Sequence, residues 1–283
     1  MRTLEHRPLD EFSAEEVVRA CEENYIYYWR CVGTSPNAEF SEEGGIMQCI
    51  TGLPQELFNV VLKCNLDLET IDSRIDDAIR YFRSRRIPMI WHTGVSSEPR
   101  DIGRYLEARG FPHDYDLAAM AVDLESMADG PGFAEGTAVK TVASSTDSKH
   151  WAECLASSWE SPREIIPWML NNACFNLSIE SRAGRPLPRR MFLGLLEGRP
   201  VSASMLVWSD LVAGLQTVGT VQAASSRGAG TAVVRATLID ARAMGFRFAV
   251  VLSTIEGLGL YRKLGFKVFG KLPEHSMHFE GSR

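Results

Sequence analysis

No two cysteines in this chain stand at Cys-x-x-Cys spacing. The six present, Cys21, Cys31, Cys49, Cys64, Cys154 and Cys174, are dispersed, and no histidine pair stands near them. That argues against a zinc site and a disulfide framework; no metal is expected, and small buried apolar thiols in a reducing cytoplasm fit best. Long apolar runs are missing too, none approaching the ~18 residues of a membrane span. The start, "MRTLEHRPLDEF", carries acids and no apolar core, so it does not read as a secretory signal. Nor is there a basic excess. The formal net charge of −6 gives no global attraction for nucleic acid or an anionic membrane. Two local arginine clusters, Arg80 to Arg86 and Ser181 to Arg190, read as a helix end and a solvated loop.

What the chain does contain is the composition of a soluble globular protein, 45% hydrophobic and 23% charged, over 283 residues. That length suffices for one large domain or two modest ones. The most informative stretch runs from Ala213 to Phe266. A β-like run, "LQTVGTV", passes through a small-residue turn, "AASSRGAG", into "TAVVRATLIDARAMG", where Val234, Leu238 and Ala241 recur at helical spacing and Gly245 supplies a stop. Strand, glycine turn and helix N-terminus in that order suit an anion. The free N–H groups of a first helical turn point outward, and the macrodipole favours negative charge there. Gly228 and Gly230 have no Cβ to keep a pyrophosphate away, and Arg227 adds a fixed positive charge. A second strand, Phe246 to Leu252, leads through "STIEGLG" to a short helix ending "LYRKLGF".

This series resembles the GNAT acyltransferase superfamily, which moves an acyl group from coenzyme A to an amine. The family's pyrophosphate loop, Gln/Arg-x-x-Gly-x-Gly/Ala, falls on Ser225-Ser226-Arg227-Gly228-Ala229-Gly230. Its late signature, a tyrosine on a short helix before Gly-Phe, falls on Tyr261, Gly265 and Phe266. The resemblance is strong from about Met191 to Leu272. Ser225 departs from it, standing where the family has Gln or Arg. The resemblance implies acetyl-CoA held by the backbone of Arg227 to Thr231. It also implies a splayed strand at Val218, Gly219 and Thr220 that orients the thioester, with Thr254 as a further cofactor contact. Tyr261 is then the general acid toward the departing thiolate. Gly219 suits a bulged strand whose freed N–H groups polarise the carbonyl. No carboxylate stands on "LQTVGTV" to serve as base; Glu256, Asp210 or water remain open.

The N-terminal half repeats the order helix, strand, loop, short helix, Gly-Phe, strand. Ser13 and Glu16 form a capping-box pattern before Val17 and Val18. The aromatic run Asn24 to Arg30 reads as core or interface packing, with a ligand pocket as the lesser alternative. Thr34 to Gly45 reads as a polar loop, and two short strand candidates follow. Ile71, Ile75, Ala78, Ile79 and Phe82 then mark one face of an amphipathic helix. "GRYLEARGF" (Gly103 to Phe111) echoes "GLYRKLGF" (Gly259 to Phe266), so the chain reads as a divergent internal duplication. The first copy lacks the chemistry. Its turn, "DLETIDSR", holds Asp67, Glu69 and Asp72 without a glycine, and Leu106 takes the place of Tyr261. Trp91 and His92 are the first functional candidates of that half, with a packed core pair the better reading.

The fold class expected is α+β: two tandem GNAT-like domains, each a mixed, largely antiparallel twisted sheet flanked by helices. Residues 1–127 form the degenerate domain, 128–136 a linker and 137–283 the acetyl-CoA-binding domain. Met191 to Trp208 is a hairpin turning at Glu197 to Pro200. His150, Trp159 and Trp168 fall where the fold places acceptor-binding helices. The leading reading is a cytoplasmic, monomeric or homodimeric N-acetyltransferase acting on a small-molecule or peptide amine. The alternatives are a catalytically inactive acyl-CoA-binding regulatory protein and, behind it, an interaction scaffold.

Overall fold

The computed structural model describes residues 8–127, 133–178, 186–210 and 212–279. The first five residues of the expected linker, and part of the second arginine cluster, lie outside them. Helix α1 (Ala14–Val32) opens on the expected capping box: Ser13 Oγ accepts from Glu16 N–H, and Glu16 Oε2 accepts from Ser13 N–H at 2.8 Å. Such a cap contributes about 1 kcal/mol. Strands β1 (Glu39–Glu43), β2 (Ile46–Ile50) and β3 (Asn59–Cys64) follow, then α2 (Ile71–Arg85), β4 (Met89–His92), α3 (Ile102–Glu107) and β5 (His113–Asp123). The second half repeats the pattern with β6 (Thr137–Thr141), α4 (Ser145–Ser158), α5 (Ile165–Leu170), β7 (Arg189–Leu196) and β8 (Arg199–Trp208). It continues through β9 (Ala213–Thr220), α6 (Ala229–Ala243), β10 (Phe248–Ser253), α7 (Leu258–Lys263) and β11 (Lys267–Met277).

Thr34 to Gly45, expected as a loop throughout, is not all loop. Strand β1 lies within it and pairs antiparallel with β2 from Glu39↔Ile50 to Glu43↔Ile46. It is an outermost strand, and its three glutamates are the charges that protect a sheet edge from further pairing. That composition hides the strand in the sequence.

All eleven strands join one sheet, in the order β1-β2-β3-β4-β11-β5-β10-β9-β8-β7-β6. The closing strand of each half is exchanged. Strand β5 pairs with β10 from Phe248↔Asp123 to Ser253↔Ala118, and β11 pairs with β4 from Glu274↔His92 to Met277↔Met89. The two exchanged strands pair with each other at the centre. Period-2 alternation divides the core between the faces. Val60, Leu62 and Ile90 pack with α1, α4 and α5, whereas Val61, Met89 and Trp91 pack with α2 and α3. In the second half Ala249 and Val251 face α6 and α7, and Phe248 and Val250 face the start of α1.

The duplication is visible in detail. The backbone N–H of Phe111 donates to the carbonyl of Leu106 at 3.0 Å, and that of Phe266 to the carbonyl of Tyr261 at 3.1 Å. Gly110 (φ +81°) and Gly265 (φ +92°) make the same left-handed helix exit. Leu106 and Tyr261 therefore hold matching positions.

Candidate active site

Parallel pairing between β9 and β10 is confined to their first residues, Ala213↔Ala249 and Gly214↔Val250. Beyond them the strands part and leave a wedge. On its other edge β9 loses register with β8, because a single residue, Ser204, stands opposite both Thr217 and Val218. Thr217 is the bulged residue, with φ +49°. A left-handed threonine costs about 1–2 kcal/mol, and the distortion frees ladder groups beside the wedge. Gly219, the residue expected to permit the bulge, serves a different purpose: a Cβ there would sit 2.1 Å from Ser158 Oγ at the end of α4.

Past the wedge the chain turns into α6. Ser226 (φ +62°) and Gly228 (φ +90°) are both left-handed, and Gly228 is the N-cap residue. The first backbone bond of the helix runs from Ala232 N–H to Gly228 C=O at 2.9 Å. The N–H groups of Ala229, Gly230 and Thr231 therefore precede the ladder and are available to an anion. No side chain caps them. A Cβ at Gly230 would lie 2.7 Å from Thr220 Oγ1, so that hydroxyl would have to turn aside.

A cavity of about 990 Å³ joins these features. Val218, Gly219, Thr220, Ser225, Ser226, Gly228, Gly230, Thr231, Thr254 and Tyr261 all line it. Arg227 and Ala229 do not. Arg227 turns outward to pair with Glu197 at 2.9 Å, and Ala229 is buried with its carbonyl accepting from Ser202 Oγ at 3.1 Å. Tyr261 closes the far side of the wedge, its ring packed edge-on against Phe266 with centroids 5.3 Å apart. Burial pushes its phenol above the usual range, so it stays protonated. Tyr115 on β5 accepts a hydrogen bond from Ile255 N–H and so ties the loop after β10 to the exchanged strand.

The remaining wall includes the aromatic run of α1, read from the sequence as packing, and Trp159, read as an acceptor-site candidate. Tyr25, Tyr28 and Trp29 of α1, Leu57 and Phe58 before β3, and Ser158 and Trp159 at the end of α4 all face the same cavity. Of the acceptor candidates, only Trp159 lines it. Trp168 packs against Phe58 and Phe175 and donates to Asn37 C=O at 3.1 Å; His150 does not reach the cavity. Glu256 stands in the lining, its carboxyl held below the usual range by its own backbone N–H and then by Thr254. Asp210 is absent from it. Trp91 and His92 are fully buried and do not line the cavity, though the His92 ring packs edge-on against Tyr25 of its wall with centroids 5.2 Å apart.

The matching place in the first half is filled by its own chain. Glu98 N–H donates to Cys64 C=O and Leu66 N–H to Glu98 C=O, both at 2.9 Å, and Ser97 Oγ accepts from Cys64 N–H at 3.3 Å. The buried carboxylate of Glu22 fixes that segment by accepting from Val95 and Ser96 N–H at 2.6 and 2.9 Å. Among the described residues, the wedge that stays open between parting parallel strands is that of the second half.

No known family profile matches the sequence, and no curated protein does. The fold does have relatives among solved structures. A GCN5-related N-acetyltransferase from Kribbella flavida superposes with a TM-score of 0.62 at 14% identity, covering 91% of this chain and 95% of that one. A counterpart from Sphaerobacter thermophilus gives 0.57 at 14% identity, covering 84% and 83%. A tandem GNAT protein from the clavulanic acid biosynthesis pathway gives 0.57 at 12% identity, covering 94% and 97%. The class is thus α+β with two fused, mixed-sheet halves. Its fold is the tandem GNAT fold. No group of three or more His, Cys, Asp or Glu among the described residues could hold a metal ion, and no helix among them is long and apolar enough to cross a membrane.

Proposed function

We propose that the protein is an acetyl-CoA-dependent N-acetyltransferase with one active site per chain, acting on a primary amine in the cytoplasm. The observation that carries this reading is the continuous path from the open N-terminus of α6, through the β9–β10 wedge, to Tyr261. A pyrophosphate fits the first-turn N–H groups of Ala229, Gly230 and Thr231 without needing the missing Gln or Arg at Ser225, because the backbone supplies the donors. The bulge at Thr217 leaves strand N–H groups beside the wedge to hold the pantetheine and polarise the thioester carbonyl.

The amine nitrogen attacks the carbonyl carbon, the C–S bond breaks, and the sulfur leaves as thiolate. No carboxylate stands on β9, so the proton lost from nitrogen passes to Glu256, the one carboxylate of the lining, or to water. Tyr261 stabilises the thiolate as a hydrogen-bond donor. With its pKa raised by burial, full proton transfer to a thiolate whose conjugate thiol has an ordinary pKa of ~8.5 is uphill. The Ser225 departure favours one second reading, an acyl-CoA-binding protein without turnover. Thiol release from acetyl-CoA, followed in the presence of a panel of primary amines, decides between them. Cofactor binding with no thiol release from any amine would leave the binding reading alone.

A further inference from the structure

The amide of Gln216 is oriented by a chain of hydrogen bonds that has only one solution. The carbonyl of Val207 can only accept, so Asn24 must turn its Nδ2 toward it, at 2.9 Å. That leaves Asn24 Oδ1 facing Gln216, which must answer with Nε2, at 2.8 Å. The contact is tight, as a Cβ on Gly214 would sit 2.0 Å from Asn24 Oδ1. Gln216 Oε1 is therefore turned away from Asn24. It receives no hydrogen bond from a described residue, it is not sealed from the cavity, and Gln216 stands in the cavity lining.

Around that acceptor the wall is largely aromatic, with the hydroxyls of Tyr25, Tyr28, Ser158 and Thr217 among its other uncharged polar groups. Tyr25, Tyr28, Trp29, Leu57, Phe58 and Trp159 supply rings and one aliphatic side chain, and no carboxylate stands among them. The two charged residues of the lining, Glu256 and Lys263, belong to the loop and helix after β10. We propose that Gln216, oriented by Asn24, receives an N–H of the acceptor amine, and that this amine is carried on an aromatic or other apolar body. The proposal rests on the acyl-transfer reading of the cavity. An acceptor oxygen in a largely aromatic wall fixes the orientation of a ligand that brings one donor and much apolar surface. A polyamine or amino sugar would bring further ammonium groups and find one carboxylate in the lining, Glu256 on the loop after β10, to pair them. The pairing also gives the first half a part in the site, since its helix α1 holds the residue that aims Gln216.

The test uses the full chain loaded with coenzyme A, so that binding is read without turnover. Calorimetric titration with 2-phenylethylamine and with spermidine compares the two amine classes, and acetyl-CoA consumption is followed separately with each. The expected result is binding of 2-phenylethylamine at least about tenfold tighter than spermidine. Gln216→Met should weaken it about 3–10-fold, the loss of one hydrogen bond, with coenzyme A affinity unchanged. Trp159→Ala should weaken it by a similar factor; if Gln216→Met does not fold, that variant and the two-amine comparison decide. Equal or tighter binding of spermidine, no binding of 2-phenylethylamine, or a Gln216→Met variant of unaltered affinity would overturn the proposal. The expected binding without acetyl-CoA consumption would leave the pocket assignment standing and remove the transfer reading. Acetyl transfer to spermidine alone would do the reverse.

Discussion

His92 Nδ1 lies 3.5 Å from Glu274 Oε1, at directly paired positions of β4 and the exchanged strand β11. The contact is not an ion pair at neutral pH. Burial alone pushes His92 down to about 3. Burial first, and then the carboxylates of Glu56, Asp114 and Asp116, push Glu274 up to about 8. The signs oppose each other. Glu274 keeps its proton on folding, so its contribution is full below the unfolded pKa of 4.5 and lost as pH rises to about 8. His92 must stay neutral, so its contribution is full above 6.5 and lost as pH falls toward 3. Relative to Glu274→Gln, the wild type should lose stability from pH 5 to pH 8, by at most about 1.4 kcal/mol per pH unit. Urea melts of both proteins at pH 5, 6.5 and 8 measure this. A constant difference would mean that Glu274 ionises normally.

The strand exchange makes each half dependent on the other. Without residues 8–127, β10 loses its six pairs with β5, and β11 loses neighbours on both sides. A fragment spanning 133–283 should therefore show no cooperative thermal transition and no coenzyme A binding. Addition of the 8–127 fragment should restore both. A separately folded, cofactor-binding fragment would show that the exchanged strands are dispensable.

Coenzyme A should raise the melting temperature of the wild type, because it binds only the native state. Gly230→Glu should abolish that shift while leaving the protein folded. The new Cβ meets Thr220 Oγ1, a side-chain atom that can rotate, whereas the carboxylate occupies and repels the pyrophosphate position. Arg227→Ala should cost less than about tenfold in affinity, since its guanidinium is held at the surface by Glu197. Calorimetry on both variants gives the ranking, and the reverse order would move the anion site from the backbone to Arg227.

Much of this site is legible in the sequence because its parts are local. The glycine turn, the helix after it and the Tyr261-to-Phe266 helix exit each depend on residues within a few positions of one another. The echo of that exit at Leu106 and Phe111 identifies the duplication for the same reason. What is not legible is whatever the sheet brings together from afar. Asn24 and Gln216 are 192 positions apart, and nothing in the aromatic run around Tyr25 distinguishes a ring that packs from one that lines a cavity. The exchange of β5 and β11 is likewise silent, because a strand's sequence records its two faces and not its neighbours. The bulge falls at Thr217 because of the Ser204 register with β8, and the nearby glycine draws attention two residues too far along.

Tyr261 provides the test of chemistry. Tyr261→Phe removes one hydroxyl and almost no volume, and the ring's contact with Phe266 survives. Folding and coenzyme A affinity should then change little. If the hydroxyl donates to the thiolate as it forms, its loss removes an interaction made mainly in the transition state. The turnover number should fall about 10²–10³-fold, the usual cost of one such donor, with little change in the Michaelis constant. The pH profile separates a donor from a titrating acid. Burial holds the phenol protonated across the accessible range, so wild type and variant should give profiles of the same shape at different heights. A descending alkaline limb that disappears in the variant would show that Tyr261 itself ionises. Unchanged turnover, with chemistry shown to limit the rate, would leave the thiolate to Thr254 or water.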